Sequence, residues 1–441
     1  MRDYLTILGA GLAGSEAAWQ AAERGVSVVL YEMRPVKPTP AHKTDHCAEL
    51  VCSNSLGNNQ SPSAPHLLKE ELRKFNSLVI DAGDTHAVPA GAALAVDREL
   101  FSKKITEQLL KHPNITLIRE EVTEIPSEGP VIVATGPLTS PRLSESISRL
   151  IGQEYLYFYD AISPIVDANT INYDKTFFAS RYDKGTDDYL NCPLNEGQYY
   201  SLVNELKNGE KVPFKSFEKP IYFEGCMPVE ELAMRGDKTL AFGPLKPVGL
   251  LHPETKEQFY AVVQLRHENK EGTAFNLVGF QTKLTYPEQK RVIRLIPGLE
   301  NAEFFRFGAI HRNTYINAPD VLSCELDLKK NSGIYFAGQI IGVEGYVESV
   351  SMGLLAALSA VKRIKGEVYS TPPVDTALGS LLKYVTETRR QSFQPMNINY
   401  GLFQVHEMKI RNKRERNKKI ELKALDSLSQ WMETINGELV K

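Results

Sequence analysis

The stretch Ile7-Leu8-Gly9-Ala10-Gly11-Leu12-Ala13-Gly14 decides how this chain is read. Tyr4-Leu5-Thr6-Ile7-Leu8 leads into it as a short apolar run, the pattern of a buried strand. Ser15 to Ala22 follows as a helix. Each glycine has its own steric task. Gly9 permits the tight turn, Gly11 lets the backbone approach a pyrophosphate, and Gly14 lets helix and strand pack closely. The helix then offers free N–H groups to the phosphates. A second strand, Val26 to Tyr31, ends at Glu32, about 20 residues past the glycines, where a ribose hydroxyl needs an acceptor. Strand, glycines, helix, strand and acid in this order predict a Rossmann-like unit for an adenine dinucleotide. Gly9, Ala10, Gly11, Leu12, Ala13, Gly14 and Glu32 are its candidate contacts. The bland alternative is a glycine turn with no ligand.

Two later segments name the dinucleotide. Pro130 to Pro137 is an apolar strand ending in Ala134-Thr135-Gly136. Ile334 to Gln339 is another, ending at Gly338, and Gly342 to Ser349 leads from it into the small-residue helix Gly353 to Leu358. The three segments come in the order used by two-dinucleotide-binding flavoproteins. The expected fold class is therefore α/β, with a Rossmann-like FAD-binding domain. FAD is held without a covalent link, and Gly136, Gly338, Gln339, Gly342 and Tyr346 are further candidate contacts. The competing reading is a second, ordinary βα unit.

With 441 residues and a net charge of −3, the chain has length for two or three domains and a substantial core. No apolar stretch is long enough to cross a bilayer, and the first apolar run is the nucleotide-binding strand rather than a leader. The expected location is the cytoplasm of a bacterium. The five cysteines, Cys47, Cys52, Cys192, Cys226 and Cys324, are too few, too scattered and odd in number for a disulfide framework. No Cys/His spacing suits zinc, so no metal is expected.

Residues 36–65 read as a long loop, of a length that tends to be functional. Helical pattern resumes at Leu67 to Leu72 and again from Asp97 to Leu110, with Asp97 as cap and Leu100, Phe101, Ile105 and Leu109 as the apolar stripe. Ile115 to Ile118 and Glu121 to Ile125 read as strands. Aromatic residues and short strands, among them Ala261 to Arg266 and Phe275 to Phe280, become frequent between about 150 and 320. The expected division is an FAD-binding domain of residues 1–180 and 290–441, with an inserted α+β domain of residues 181–289. The end of the chain is helical and basic, with Lys409, Arg411, Lys413, Arg414, Arg416, Lys418 and Lys419 in one stretch. Such a run is either a solvated face or a phosphate-contacting patch.

Cys52 and Cys226 stand in polar surroundings, Ala48 to Leu56 and Phe223 to Glu230, unlike a thiol placed for packing alone. Several strings resemble the folate- and FAD-dependent tRNA (uracil-5-)-methyltransferases, the TrmFO or Gid family, related to the MnmG/GidA flavoproteins. They are Tyr31 to Pro35, Ala48 to Leu56, Val88 to Gly91, Tyr155 to Asp160, Glu224 to Pro228, Phe242 to Gly249, His311 to Thr314 and Gly345 to Ser349. The resemblance runs from the first strand to the basic tail. One departure is Cys47, where an aromatic residue is expected, and it puts an extra thiol near the site.

The resemblance implies reductive methylation. The carbon comes from 5,10-methylenetetrahydrofolate, FAD is reduced by NADH or NADPH, and the acceptor is C5 of a uridine in the T-loop of tRNA. Uracil C5 becomes enolate-like once a thiolate adds at C6, and its proton must then leave to a base. The family's two catalytic cysteines match Cys52 and Cys226. Cys226 is the candidate nucleophile at C6 or base at C5. Cys52 is the candidate guard or proton-transfer partner beside the flavin. His311 is the candidate stacking face for the pterin and Arg312 its support, against the plainer reading of a hydrogen-bonded structural histidine. Tyr346 or Glu348 would line the flavin ring, and Lys409, Arg411, Lys413 and Arg414 are candidate RNA contacts.

Other readings share part of this pattern. A relative could methylate ribosomal RNA by the same chemistry. The flavoproteins that modify wobble uridines are expected to carry a longer helical C-terminus. A small-molecule flavoprotein oxidoreductase would leave the basic tail merely solvated, and a non-catalytic flavin-containing RNA-binding protein would not need Cys226. The sequence sets neither which thiol plays which part nor an oligomeric state.

Overall fold

The strand Tyr4–Leu8 pairs in parallel with Ser27–Glu32 on one side and Val131–Val133 on the other. This computed structural model describes residues 4–39, 41–127, 129–153, 155–181, 186–213, 222, 227–388, 393–404 and 410–437. Ile115–Arg119 extends the sheet beyond Ser27–Glu32, and Asn331–Phe336 pairs in parallel with Val131–Val133. The short antiparallel strand Asp327–Leu328 completes six strands. Continuous apolar sequences such as Val131-Ile132-Val133, all buried, are what a parallel sheet covered on both faces requires.

Two helices cover one region of this sheet. Leu12–Glu23 follows the glycine turn, and Tyr346–Lys365 follows the last parallel strand. They meet backbone to backbone. A Cβ on Gly353 would lie 2.2 Å from the Ala13 carbonyl oxygen, and one on Gly338 would lie 2.7 Å from the Ala13 Cβ. The small residues from Gly353 to Ala357 are thus the condition for this contact. Asp97 caps the helix Arg98–Lys111, accepting the N–H groups of Glu99 and Leu100 at 3.1 and 3.0 Å.

A second sheet is antiparallel throughout, in the order Phe177–Phe178, Tyr189–Leu194, Ala261–His267, Ala274–Leu277, Ile165–Asp167, Phe304–Arg306. It has its own apolar core, with Tyr199, Leu202, Val263, Phe275 and Ile296 buried between the sheet and its helices. Between the two sheets runs the antiparallel ribbon Leu156–Ala161 with Ile310–Tyr315, which sets His311 opposite Asp160.

Two local expectations change. Glu121 to Ile125 is not a strand; Val122 and Ile125 pack against the main core, while Glu121 pairs with Lys37 at 2.6 Å. These two apolar side chains belong to a loop that lies on the core without sheet partners. The long loop from residue 36 contains the strand Ser55–Asn58, paired with Ala93–Val96. No helix among the described residues is long and apolar enough to cross a membrane.

Candidate active site

Sterics at the glycine turn separate the three glycines. A Cβ on Gly14 would sit 1.8 Å from the Gly9 carbonyl oxygen, and one on Gly9, where φ is +94°, would sit 2.8 Å from the Ala134 oxygen. These two serve the turn and the close packing of helix on strand. A Cβ on Gly11 would meet nothing within 4 Å, nor would one on Gly136. Gly11 and Gly136 both line a cavity of about 1060 Å³, with Leu12, Ala13, Glu32, Gly338, Gln339 and Tyr346 also in its wall. Gly11 is the N-cap of its helix and offers no side-chain cap to the first turn. Ala10 contributes through its backbone, donating its N–H to Glu32 Oε2 at 3.0 Å. Gly342 packs under the Phe393 ring, where a Cβ would lie 2.3 Å from it, and it does not line the cavity.

Burial pushes the Glu32 carboxyl up, but Arg34 and the Ala10 N–H outweigh it and hold the group below the usual carboxylate range. Arg34 donates to Glu32 Oε1 at 2.8 Å and to Glu49 Oε2 at 3.1 Å. Glu49 in turn accepts the N–H groups of Lys43 and Thr44 at 2.7 and 3.0 Å. The segment after the first βαβ unit is therefore tied down at the ribose end of the cavity. Ala48 donates its N–H to the Ala10 carbonyl at 2.8 Å.

A second cavity, of about 890 Å³, shares Val51, Pro137, Leu138, Gln339 and Tyr346 with the first. Cys52 and His311 both line it, with Asp160, Asn313 and Glu344. The His311 ring is held neutral, its pKa lowered to about 4 by burial and by the Arg306 charge. Its Nε2 is buried and has no hydrogen-bond partner. Burial and the nearby Asp160 charge push the Glu344 carboxyl well above its ordinary range, while Gln339 Nε2 donates to it at 2.8 Å.

The Cys52 loop is held by Tyr346, expected from the sequence as a cofactor contact, and by Arg98 and Arg266, which the sequence did not single out. The Tyr346 hydroxyl accepts the N–H groups of Cys52 and Ser53 at 2.8 and 3.1 Å. Arg98 donates to the carbonyls of Leu50 and Cys52 at 2.6 and 3.1 Å and pairs with Glu268. Arg266 reaches Asn54 Oδ1 and Ser53 Oγ at 2.9 and 3.0 Å. Arg266 does carry a signal, since a charge two residues after Gln264 in an otherwise apolar strand marks one polar stripe.

Other candidates fall elsewhere. Cys47 is buried in the main core, burial raises its thiol to about 11, and it lines neither cavity, so the extra thiol is a packing group. Glu348 turns away from both cavities and accepts the Ile398 N–H at 3.0 Å. Arg411 precedes the final helix, whose first turn carries Lys413 and Arg414. Cys226, Lys409 and the side chain of Arg312 lie outside the described residues; the Arg312 backbone pairs with Tyr159. Among the described residues no group of His, Cys, Asp and Glu is arranged to hold a metal ion.

This architecture is that of the Rossmann-like, two-dinucleotide-binding flavoproteins. Gly11 and Gly136 leave the cavity open where a diphosphate backbone would pass, and Glu32 stands at the end of its strand, so the residues present fit FAD. The chain spans 98% of its length in superposition with Aquifex aeolicus GidA in two crystal forms, with TM-scores of 0.71 and 0.72 at 18% identity, covering 73% and 76% of those chains. The family model described as glucose inhibited division protein A matches residues 4–368. Proteins named methylenetetrahydrofolate--tRNA-(uracil-5-)-methyltransferase TrmFO are 57% identical in Natranaerobius thermophilus and 53% in Bacillus subtilis, over 97% and 98% of this chain and 99% of each relative. The chain belongs to the glucose inhibited division protein A family and, within it, to the group of these TrmFO relatives.

Proposed function

We propose that this chain is a folate-dependent tRNA uridine methyltransferase. It moves the one-carbon unit of methylenetetrahydrofolate to C5 of a T-loop uridine and yields 5-methyluridine. The observation that carries the reading is the shared wall between the glycine-cradled cavity and the chamber of Cys52 and His311. The TrmFO relatives, matched along nearly their whole length, support it.

Gly11, Gly136 and Glu32 hold FAD, which when bound and reduced by NADH or NADPH supplies the reducing equivalents for the methylene carbon. Leu12, Ala13, Gly338 and Gln339 line the same cavity and would shape it around the cofactor, while Tyr346 lines both cavities and would face bound groups in each. The neutral His311 ring supplies a flat face for the pterin, and its unpartnered Nε2 a polar atom for it. Cys226 is assigned from the family resemblance to addition at uracil C6 or proton removal at C5. Cys52 is assigned to guarding the chamber or sharing that proton transfer. Arg312 is assigned as the pterin's second support. Lys409, Arg411, Lys413 and Arg414 are assigned to RNA phosphates.

We also infer a division into two units. The unit around the second core takes in residues 181–289 together with the flanking strands Ile165–Asp167, Phe177–Phe178 and Phe304–Arg306, which complete its sheet. The remainder forms the FAD-binding unit.

The test is to incubate the protein with methylenetetrahydrofolate, reduced nicotinamide and either unmodified tRNA or unmodified ribosomal RNA. Formation of 5-methyluridine in tRNA alone is expected. Product only in ribosomal RNA moves the same chemistry to another acceptor, and product in neither overturns the reading.

A further inference from the structure

We propose that a third cleft, beside the reaction chamber, seats a ribose-phosphate unit of the RNA substrate. The inference rests on the tRNA reading above and adds a place for the polynucleotide. The cleft, of about 1340 Å³, lies between the start of the helix Ala64–Lys74, residues 398–403 and the first turns of the helix Lys413–Gly437.

Its lining combines three chemistries. Lys413 and Arg416 stand one helical turn apart, and neither forms an ion pair among the described residues. Lys418, on the same helix, is engaged with Ser61 Oγ at 3.0 Å and with Glu421 at 3.7 Å. In a chain of net charge −3, two uncompensated cations in one concavity are a local anion site rather than a general property of the surface. Tyr400 and Phe403 add aromatic rings 5.4 Å apart. Asn417 is only 8% exposed, and its amide oxygen has no hydrogen-bond partner; the buried Tyr400 hydroxyl has none either. A buried polar atom without a partner is unfavourable, and an incoming hydroxyl or N–H relieves that. Cations for a phosphate, rings for a sugar or base, and an amide and phenol for ribose hydroxyls match one nucleotide.

The position connects this cleft to the reaction. Asn397 lines the chamber of Cys52, and the next residue, Ile398, lines the cleft. Ile398 is fixed by its bond to Glu348, in the first turn of the helix that begins at Tyr346. An RNA strand whose uridine enters the chamber therefore has this cleft beside its path.

The experiment measures binding of unmodified tRNA to the FAD-loaded protein between 50 and 200 mM salt. The doubly substituted Lys413→Gln, Arg416→Gln protein is expected to bind about 10-fold more weakly at low salt. Its log–log salt dependence should be shallower by about two. Lys330→Gln, which removes one exposed charge outside the cleft lining, serves as the surface-charge control. Tyr400→Phe deletes only the unpartnered hydroxyl and is expected to weaken binding about 3-fold without lowering the melting temperature. Affinity and slope in the double variant equal to those of Lys330→Gln would overturn the cleft assignment while leaving the methyltransferase reading intact. No tRNA binding by the unsubstituted protein overturns both.

Discussion

The phenolic oxygen of Tyr346 accepts the backbone N–H of Cys52 at 2.8 Å, across 294 positions of sequence. The first residue of the helix that closes the nucleotide-binding core thus sets the place of the thiol in the neighbouring chamber. Tyr346→Phe keeps the ring and removes the acceptor for two N–H groups. The expected cost is about 1–3 kcal/mol. Turnover should fall about 10-fold or more, with flavin still bound. Stopped assays of 5-methyluridine, alongside the flavin absorbance, check this; full turnover in the variant would show that the loop holds its place without the tyrosine.

Glycine substitutions separate packing from ligand approach. Gly14→Ala forces a Cβ to 1.8 Å from the Gly9 oxygen, so the variant is expected to be insoluble or to melt far below the parent. Gly11→Ala meets no protein atom within 4 Å and should fold normally yet purify without the yellow cofactor. Circular dichroism and the absorbance spectrum read the two outcomes. A yellow Gly11→Ala protein would place the cofactor's diphosphate elsewhere.

Acid sensitivity follows from two buried imidazoles. Burial, then neighbouring positive charge, lowers both His311 and His42 from 6.5 to about 4. The unfolded chain therefore takes up protons that the folded one refuses as pH drops from 6.5 toward 4. Stability is unaffected by this pair above 6.5 and falls across that window. Melting curves at pH 7.5 and 5 should show a smaller acid loss for His311→Gln than for the parent. Equal losses would mean that His311 is solvated and protonates freely.

Glu71 and Cys47 are buried groups with structural duties. Glu71 accepts the N–H groups of Ala377 and Leu378 at 2.7 and 2.8 Å, capping a helix far along the chain. Glu71→Ala should cost about 1–3 kcal/mol, read from denaturant melts. Cys47→Ala should leave methylation intact, because the thiol sits in the core away from both cavities. Loss of turnover with unchanged stability in Cys47→Ala would return that thiol to the chemistry.

The nucleotide-binding half was legible because its demands are local. Gly14, pressed against the Gly9 carbonyl, and the strand ending at Glu32 answer needs within a few dozen residues, although Gly9 also meets the distant Ala134. Cys52 and His311 were legible as residue types in unusual strings, yet their meeting in one chamber is set by the ribbon of Leu156–Ala161 with Ile310–Tyr315, a tertiary pairing. Arg98 was not legible as a support, and Arg266 showed only as part of a polar stripe. An arginine in sequence reads as surface, and only the fold shows Arg98, partly buried, on the loop's carbonyls and Arg266, buried, on its polar side chains. Glu121 to Ile125 misled for the opposite reason: its apolar residues Val122 and Ile125 do pack against the core, but from a loop with no sheet partner.

Cys52, in the chamber beside the cofactor cavity, is proposed to guard that chamber or share proton transfer while a folate carbon passes to uridine. The most direct measurement supplies methylenetetrahydrofolate labelled in its methylene carbon, with NADPH and unmodified tRNA, to the parent protein and to Cys52→Ala at equal flavin content. Labelled 5-methyluridine is expected from the parent and none from the variant. Undiminished label in the tRNA product of Cys52→Ala would contradict it.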